Sequence, residues 1–192
     1  MVHPPVVLLA KNSGLQAQVS RASALLPDAE SAVHYSVRGE DVPYLSNEFS
    51  RRGRRVVGYT GDDLVDEWLA AGNELDARLR RSQISWVDPL ARYGRPALCL
   101  IGPPTANIQA GTPKRVAVCA RYWNLGRRFL QTLDGSANIE CIKIQGALET
   151  VCLEGFADFM IDVVVTGKTA AAAGLDVHRV ISTSDLAVLE AG

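Results

Sequence analysis

The sequence has few cysteines and histidines, and neither type is arranged for metal binding. The four cysteines, Cys99, Cys119, Cys141 and Cys152, have no CxxC spacing, and the three histidines form no HExxH pattern. The cysteines lie mostly within apolar stretches, which favours buried, reduced thiols over a disulfide framework. We therefore expect a cytoplasmic protein that holds no metal with its own side chains.

Long hydrophobic runs and an excess of one charge are also missing. No segment approaches the ~20 consecutive apolar residues that cross a bilayer. The first residues show neither a basic leader nor a small-residue cleavage site. Lysine and arginine number 20 against 21 acidic residues, so the formal net charge is -1. Because this balance leaves no electrostatic footprint, we expect neither nucleic acid nor a membrane among the partners.

What the chain does contain is a regular alternation of short apolar runs and amphipathic segments, typical of an α/β protein. The hydrophobic fraction is 47%, which is ample for a sizeable core. The alternation predicts strands at 6–10, 33–37, 56–60, 84–88, 97–102, 115–120, 139–144, 159–165 and 185–191. It predicts helices at 14–26, 41–51, 63–71, 121–133, 147–154 and 168–173.

A stretch rich in proline and glycine, residues 101–115, lies between two strong strands and predicts a junction between lobes. The predicted fold class is α/β, with two α/β lobes around a cleft. The first lobe comprises residues 1–100 together with 179–192, and the second comprises residues 101–178. Small ligands bind in clefts of this kind, which are lined by strand carboxyl ends and helix N-termini.

The stretch MIDVVVTGKTAAAAGL, residues 160–175, reads as a strand, a polar turn and a helix. A P-loop would need a glycine five residues before Gly167, where this chain has Asp162, so the turn is not a P-loop. A turn of Thr166, Gly167, Lys168 and Thr169 at a helix N-terminus suits one phosphate monoester. Asp162 could then reach the 2- and 3-hydroxyls of the attached sugar. The alternative interpretation is that Thr166 merely caps a helix and Asp162 is an exposed strand residue.

The run GALETVCLEGFADFMIDVVVTGKTAAAAGL, residues 146–175, resembles the signature segment of the ATP phosphoribosyltransferases, which open histidine biosynthesis. The matching positions are Glu149, Gly155, Ala157, Asp162, Thr166, Gly167 and Thr169. Met160 and Ala170 depart from the signature by apolar exchanges. Further segments are similar to the family over nearly the whole chain: VRGEDVPYL (37–45), VVGYTGDDLVDEW (56–68) and KRVAVCARYWNLGRRFL (114–130).

This resemblance implies transfer of a phosphoribosyl group from phosphoribosyl pyrophosphate (PRPP) to N1 of the adenine of ATP, with release of pyrophosphate. It implies Mg²⁺ carried by the pyrophosphate, so the missing metal motif is no objection. It also implies a homo-oligomer and the two-lobed architecture of periplasmic binding proteins. Because the chain ends after its last predicted strand, it resembles the short form of the enzyme. That form works with a regulatory partner related to histidyl-tRNA synthetase.

The resemblance also implies roles for individual residues. The 5-phosphate would bind at Thr166, Gly167, Lys168 and Thr169. Catalytic roles would fall to Asp162 at the ribose hydroxyls, to Glu149 beside the sugar and to Lys11 at a phosphate. Arg38 would contact pyrophosphate or nucleotide phosphates. The acceptor side of the cleft would be bordered by Tyr59, Thr60, Gly61 and Asp63. For Glu149, an exposed helix-start glutamate is the alternative interpretation.

Two arginines of the family pattern are missing. The segment AKNSGL, residues 10–15, keeps Lys11 but not the arginine that follows it, and Pro96-Ala97 replaces a Cys-Arg pair. Each charge-assisted hydrogen bond contributes ~1.5–3 kcal/mol, so these losses favour a changed ligand. Three alternatives stay open. They are a paralogue with another acceptor in a different pathway, a non-catalytic binding or regulatory subunit, and a solute-binding protein, which the missing export signal disfavours.

Overall fold

The computed structural model describes residues 3–11, 15, 19, 31–109, 112, 114–134 and 136–192. The chain divides into two compact units. The first comprises Met1–Trp86 with Asp185–Gly192, and the second comprises Val87–Ser184. Each unit contains one five-stranded sheet and short helices, so the α/β class predicted from the alternation of apolar segments is confirmed.

The secondary structure follows the apolar alternation closely. The strands are β1 (Val6–Ala10), β2 (Val33–Val37), β3 (Val56–Gly61), β4 (Arg80–Ile84), β5 (Ala97–Gly102), β6 (Lys114–Cys119), β7 (Ile139–Ile144), β8 (Phe159–Val164), β9 (Asp176–Thr183) and β10 (Leu186–Ala191). The α-helices whose bounds lie among the described residues are α1 (Val42–Arg51), α2 (Asp62–Ala70), α3 (Trp123–Gln131), α4 (Leu148–Leu153) and α5 (Lys168–Ala172). The helix predicted at 14–26 lies largely outside the described residues.

The first sheet has the strand order β2-β1-β3-β10-β4. β1 runs parallel to β2 and β3, whereas β10 runs antiparallel to β3 and β4. Successive side chains of β1 point to opposite faces. Leu8 therefore packs with Val42 and Val65 on the helix α1 side, and Val7 packs with Trp86 on the other. Both faces of this interior strand are thus covered.

The second sheet has the order β7-β6-β8-β5-β9, with β6 parallel to β7 and β8. β5 is antiparallel to both of its neighbours, β8 and β9, and is buried along its whole length. The register pairs Val116 with Phe159 and Val118 with Ile161. The carboxyl ends of the parallel strands therefore meet at one edge of the sheet. The turn after β8 lies at this edge.

The boundaries of the two units differ from the predicted ones. Residues 87–100 and 179–184 belong to the second unit, because β5 and β9 pair within the second sheet. The proline- and glycine-rich stretch at 101–115 connects β5 to β6 inside that sheet and does not join the two units. The chain passes between units after Trp86 and again after Ser184.

Two strands also depart from the prediction. The strand expected at 84–88 is β4 at Arg80–Ile84, where polar residues pair with β10. Trp86 follows it as a buried loop residue whose backbone N–H donates to Asp185 Oδ1 at 2.9 Å. β9 was not predicted, because most of its residues are exposed and its pattern is weakly apolar.

Candidate functional site

The segment after β8 turns sharply into α5. Gly167 has a φ of 75°, in the left-handed region that glycine adopts without strain. The first N–H groups of a helix have no partner within it. The Thr166 hydroxyl accepts a long hydrogen bond, 3.4 Å from Lys168 N. The turn therefore presents N–H groups and hydroxyls together, and Thr166 is no more than a weak helix cap.

A cavity of about 170 Å³ lies against this turn. Five of the predicted site residues line it: Glu149, Asp162, Thr166, Gly167 and Thr169. Its remaining walls are apolar, formed by Ile101, Met160, Val163, Val164, Val165 and Ala170. Lys168 is exposed and does not belong to the lining. The structure thus brings together most of the residues that the sequence analysis connects with a sugar phosphate.

The Asp162 carboxylate lies half-buried near the end of β8. Its Oδ1 accepts the Val163 N–H at 2.8 Å, and the carboxylate also accepts a hydrogen bond from the Cys119 thiol. Burial raises the pKa of Asp162, and the negative charge of Glu149 adds to this effect. A poorly solvated carboxylate gains from hydroxyl donors that replace lost water. Asp162 is therefore not the exposed strand residue of the alternative interpretation.

Glu149 reaches the cavity from the first turn of α4. The residue before this helix, Ala147, has a φ of 55°, which costs a residue with a Cβ about 1–2 kcal/mol. Leu148 is 1% exposed and anchors the helix in the core. Strained backbone of this kind clusters at functional sites. Because Glu149 is half-buried and lines the cavity, it is not simply an exposed helix-start glutamate.

Two neighbours of the cavity were missed by sequence reasoning. Cys119 ends β6, and the register of β6 against β8 places it beside Asp162. Burial raises the pKa of Cys119 to about 11, and the Asp162 charge adds to the rise, so the group is a neutral thiol donor. The strand alignment could have signalled this contact. Arg92 approaches the turn from an irregular segment, for which the sequence carries no comparable signal.

In the first unit, Lys11 and Arg38 follow the carboxyl ends of neighbouring strands. Lys11 N donates to Val37 O at 2.8 Å, where β1 and β2 end. Lys11 is exposed, and the Arg38 side chain is 76% exposed and lies 3.9 Å from Glu40. The structure therefore brings these two predicted phosphate ligands to one edge of the first sheet.

Tyr59 and Thr60 are core residues. Tyr59 is 2% exposed and packs in the cluster that contains Trp86, and burial raises its pKa. Thr60 is fully buried, and its hydroxyl donates to Gly39 O at 2.8 Å. Both side chains are occupied by packing or by the backbone. A contact of either side chain with a bound acceptor stays a prediction.

Gly61 and Asp63 begin α2. Gly61 is the residue before the helix, with an extended backbone, and Asp63 is buried in its first turn. Asp63 Oδ1 accepts the Leu64 N–H at 3.0 Å. Asp63 therefore has a structural contact, and a contact of either residue with the acceptor stays a prediction.

The described residues contain no group of three or more His, Cys, Asp or Glu side chains that could hold a metal ion. All four cysteines are free thiols, with Cys99 buried and the others half-buried. In the part of the chain that the structure describes, no helix is long and apolar enough to span a membrane.

Two α/β units, the second with a cavity at the carboxyl edge of its sheet, define a two-unit α/β fold. The fold is similar to the periplasmic aliphatic sulphonate binding protein SsuA of Escherichia coli. The TM-score is 0.58 at 14% identity, covering 100% of this chain and 62% of that one. It is also similar to the ATP phosphoribosyl transferase (HisG:HisZ) complex of Thermotoga maritima. Here the TM-score is 0.67 at 19% identity, covering 98% of this chain and 87% of that one.

Sequence comparison identifies the family. The family model described as HisG, ATP phosphoribosyltransferase, matches residues 38–191. The ATP phosphoribosyltransferase of Sinorhizobium fredii is 30% identical over 138 residues, covering 67% of this chain. That of Brucella melitensis is 28% identical over 165 residues, covering 80% of this chain and 71% of the relative. The chain belongs to the ATP phosphoribosyltransferase family. The match spans 60% of the length of the Sinorhizobium fredii relative, less than two thirds.

Proposed function

We propose that this chain transfers a phosphoribosyl group from PRPP to N1 of the adenine of ATP and releases pyrophosphate, the first step of histidine biosynthesis. The proposal rests on the cavity in which Asp162 and Glu149 meet the turn that ends at Thr169, in a chain of this family. The comparisons name ATP phosphoribosyltransferases, so a changed acceptor is not favoured. No structural observation favours a non-catalytic or solute-binding role.

The sugar phosphate would bind along the cavity wall. The N–H groups of the turn and the hydroxyls of Thr166 and Thr169 would hold the 5-phosphate, with Lys168 adding positive charge from the exposed start of α5. Asp162 would accept from the 2- and 3-hydroxyls of the ribose. Glu149 would lie beside the same sugar. These contacts would fix the orientation of C1 for attack by the adenine nitrogen.

Negative charge accumulates on the leaving pyrophosphate as the bond to C1 breaks, so cations at that group accelerate the reaction. Lys11 and Arg38 are the proposed ligands, and their exposure permits this role. Mg²⁺ would supply charge neutralisation on the pyrophosphate. The described residues contain no group of three or more metal-binding side chains. Mg²⁺ would therefore be held largely by phosphate oxygens and water, with Asp162 or Glu149 as the nearest carboxylates of the cavity.

We also propose a cytoplasmic homo-oligomer that works with a regulatory subunit related to histidyl-tRNA synthetase. The Thermotoga maritima structure is a HisG:HisZ complex, and this supports a partner for the present chain. Light scattering on the purified chain, alone and mixed with such a subunit, would test the homo-oligomer and the complex with the regulatory subunit. A monomer that forms no mixed species would contradict them.

The function is tested by calorimetric titration of PRPP and then ATP into the protein with Mg²⁺, followed by an assay of pyrophosphate release. We expect both ligands to bind and pyrophosphate release to require both, with GTP unable to replace ATP. Binding of PRPP without turnover would call for the same assay with the regulatory subunit added. A protein that does not bind PRPP would overturn the proposal.

A further inference from the structure

The segment before β5 is a closed loop fastened to the turn after β8. Within residues 88–96, Asp88 N donates to Gly94 O at 2.8 Å and Gly94 N donates to Ala91 O at 3.0 Å. Arg92 N donates to Val165 O at 2.7 Å. Because Val165 directly precedes the turn, this last bond fixes the backbone of Arg92 relative to the turn.

The Arg92 side chain lies against the turn itself. A Cβ built on Gly167 would be 3.4 Å from Arg92 Cδ and 3.7 Å from Nη1. The guanidinium lies 5.6 Å from the centroid of the Tyr93 ring, and Nη1 lies 3.0 Å from Asp176 Oδ1. Tyr93 in turn packs on the core of the second unit. These contacts hold a cation beside Gly167.

An exposed ion pair explains little about the placement of Arg92. The Arg92 and Asp176 side chains are 41% and 54% exposed, and such pairs contribute only ~0–1 kcal/mol to stability. A guanidinium carries five N–H donors, and the bond to Asp176 uses Nη1. The other donors suit the oxygens of a phosphate, to which arginine binds through paired N–H groups. Neither Lys168 nor Arg92 lines the cavity, but the Arg92 side chain lies against Gly167.

We propose that Arg92 is a specificity-determining ligand of the sugar phosphate: its guanidinium binds the phosphate monoester held at Gly167. This inference rests on the proposed function. It adds a charged group from outside the signature segment, positioned by Asp176 and Tyr93. Arg92 thereby distinguishes the phosphate dianion from the monoanion, because the second pKa of a phosphate monoester is about 6.

The test titrates ribose 5-phosphate calorimetrically into the wild-type protein and into Arg92→Met, Arg92→Lys and Arg115→Met. Arg115 is the matched control because it also forms an exposed ion pair, with Glu140 at 2.9 Å. It lies near the start of β6, next to Asp158 and away from the carboxyl ends of the strands. We expect at least about tenfold weaker binding for Arg92→Met and a smaller loss for Arg92→Lys. For Arg115→Met we expect a change below about twofold.

The pH dependence separates a phosphate contact from a structural effect. Between pH 5.5 and 7.5 wild-type affinity should rise as the phosphate loses its second proton, and Arg92→Met should lose most of this rise. Unchanged binding by Arg92→Met, or equal losses for Arg92→Met and Arg115→Met, would overturn the inference while the proposed function stands. A wild-type protein that binds neither ribose 5-phosphate nor PRPP would instead overturn the proposed function. If Arg92→Met fails to fold, the Arg92→Lys affinity and pH profile decide.

Discussion

Replacement of Asp162 by asparagine should separate binding from stability. The asparagine keeps an oxygen that can accept the Val163 N–H, which Asp162 Oδ1 accepts at 2.8 Å. It removes the charge that the proposed ribose contacts need, and it presents an amide donor to one of two hydroxyls. The local fold should therefore survive while the sugar site fails.

The size of the binding loss follows from the contacts removed. Hydrogen bonds to a charged group contribute ~1.5–3 kcal/mol each, against ~0.5–1.5 kcal/mol for neutral pairs. Weakening one ribose contact and losing the other therefore costs about 2–4 kcal/mol. This corresponds to PRPP affinity that is about 30- to 1,000-fold weaker.

The stability change should have the opposite sign. Burial raises the pKa of Asp162 above its ordinary 3.8, so ionised Asp162 destabilises the folded state at neutral pH. Asp162→Asn removes this penalty, and the variant should melt at a temperature equal to or above that of the wild type. The advantage should disappear below pH 3.8, where the carboxyl is protonated in both the folded and unfolded states.

Calorimetric titration of PRPP with Mg²⁺ and thermal melting followed by circular dichroism measure the two effects. Asp158→Asn is the matched control, because Asp158 is exposed at the other end of β8 and its amide can still accept the Arg115 N–H. The control should bind PRPP normally. Unchanged affinity in Asp162→Asn would refute the ribose contact, and a lower melting temperature would refute the charge argument.

Three further substitutions test the surroundings of the site and the cores. Glu149→Gln should lower the pKa of Asp162 and move the acid limb of PRPP binding to lower pH, because the Glu149 charge raises that pKa. Gly126→Ala should destabilise the protein by ~1–3 kcal/mol in urea unfolding, because its Cβ would lie 2.6 Å from Val118 Cγ1. Ser46→Ala should raise the free energy of unfolding by about 1 kcal/mol, and with it the melting temperature, because the buried Ser46 hydroxyl has no partner among the described residues.

Each of these substitutions has a control in the chain. The control for Glu149→Gln is Glu154→Gln, which removes an exposed charge just after α4, the helix that carries Glu149. Glu154→Gln should leave the pH dependence of PRPP binding unchanged. A Cβ on Gly146 meets no atom within 4 Å, so Gly146→Ala should not destabilise as Gly126→Ala does. Ser50→Ala in α1 should destabilise, because Ser50 Oγ donates to Asp76 Oδ1 at 2.9 Å. If a substitution and its control give the same result, the argument for that substitution fails.

Strands with strong apolar runs could be predicted from the sequence to within a residue. β1, β5 and β7 have the predicted limits, because β-branched and aliphatic residues between turn signals identify such segments from the local sequence. β2 also has the predicted limits, although its central residues are exposed. β4 and β9 could not be predicted. Their residues are polar or exposed, and they are strands because β10 and β5 offer them backbone partners. Pairing of that kind is a property of the assembled sheet.

The candidate site divides in the same way. The turn from Thr166 to Thr169, with Asp162 a few residues before it, was found from the sequence alone, because one strand, one turn and one helix start place these groups through local geometry. The neighbours of that turn depend on other segments. Cys119 meets Asp162 through a parallel strand pair, and Arg92 meets Gly167 through a loop.

The sequence by itself determined the α/β class, the apolar strands and the sugar-phosphate turn, because each depends on residues close together in the chain. Only the tertiary structure decided that Tyr59 and Thr60 are core residues, since their burial requires packing from several elements. It also decided where the units divide, because β5 and β9 join the second sheet through contacts distant in sequence. The placement of Arg92 beside Gly167 has the same origin, in contacts between segments far apart in the chain.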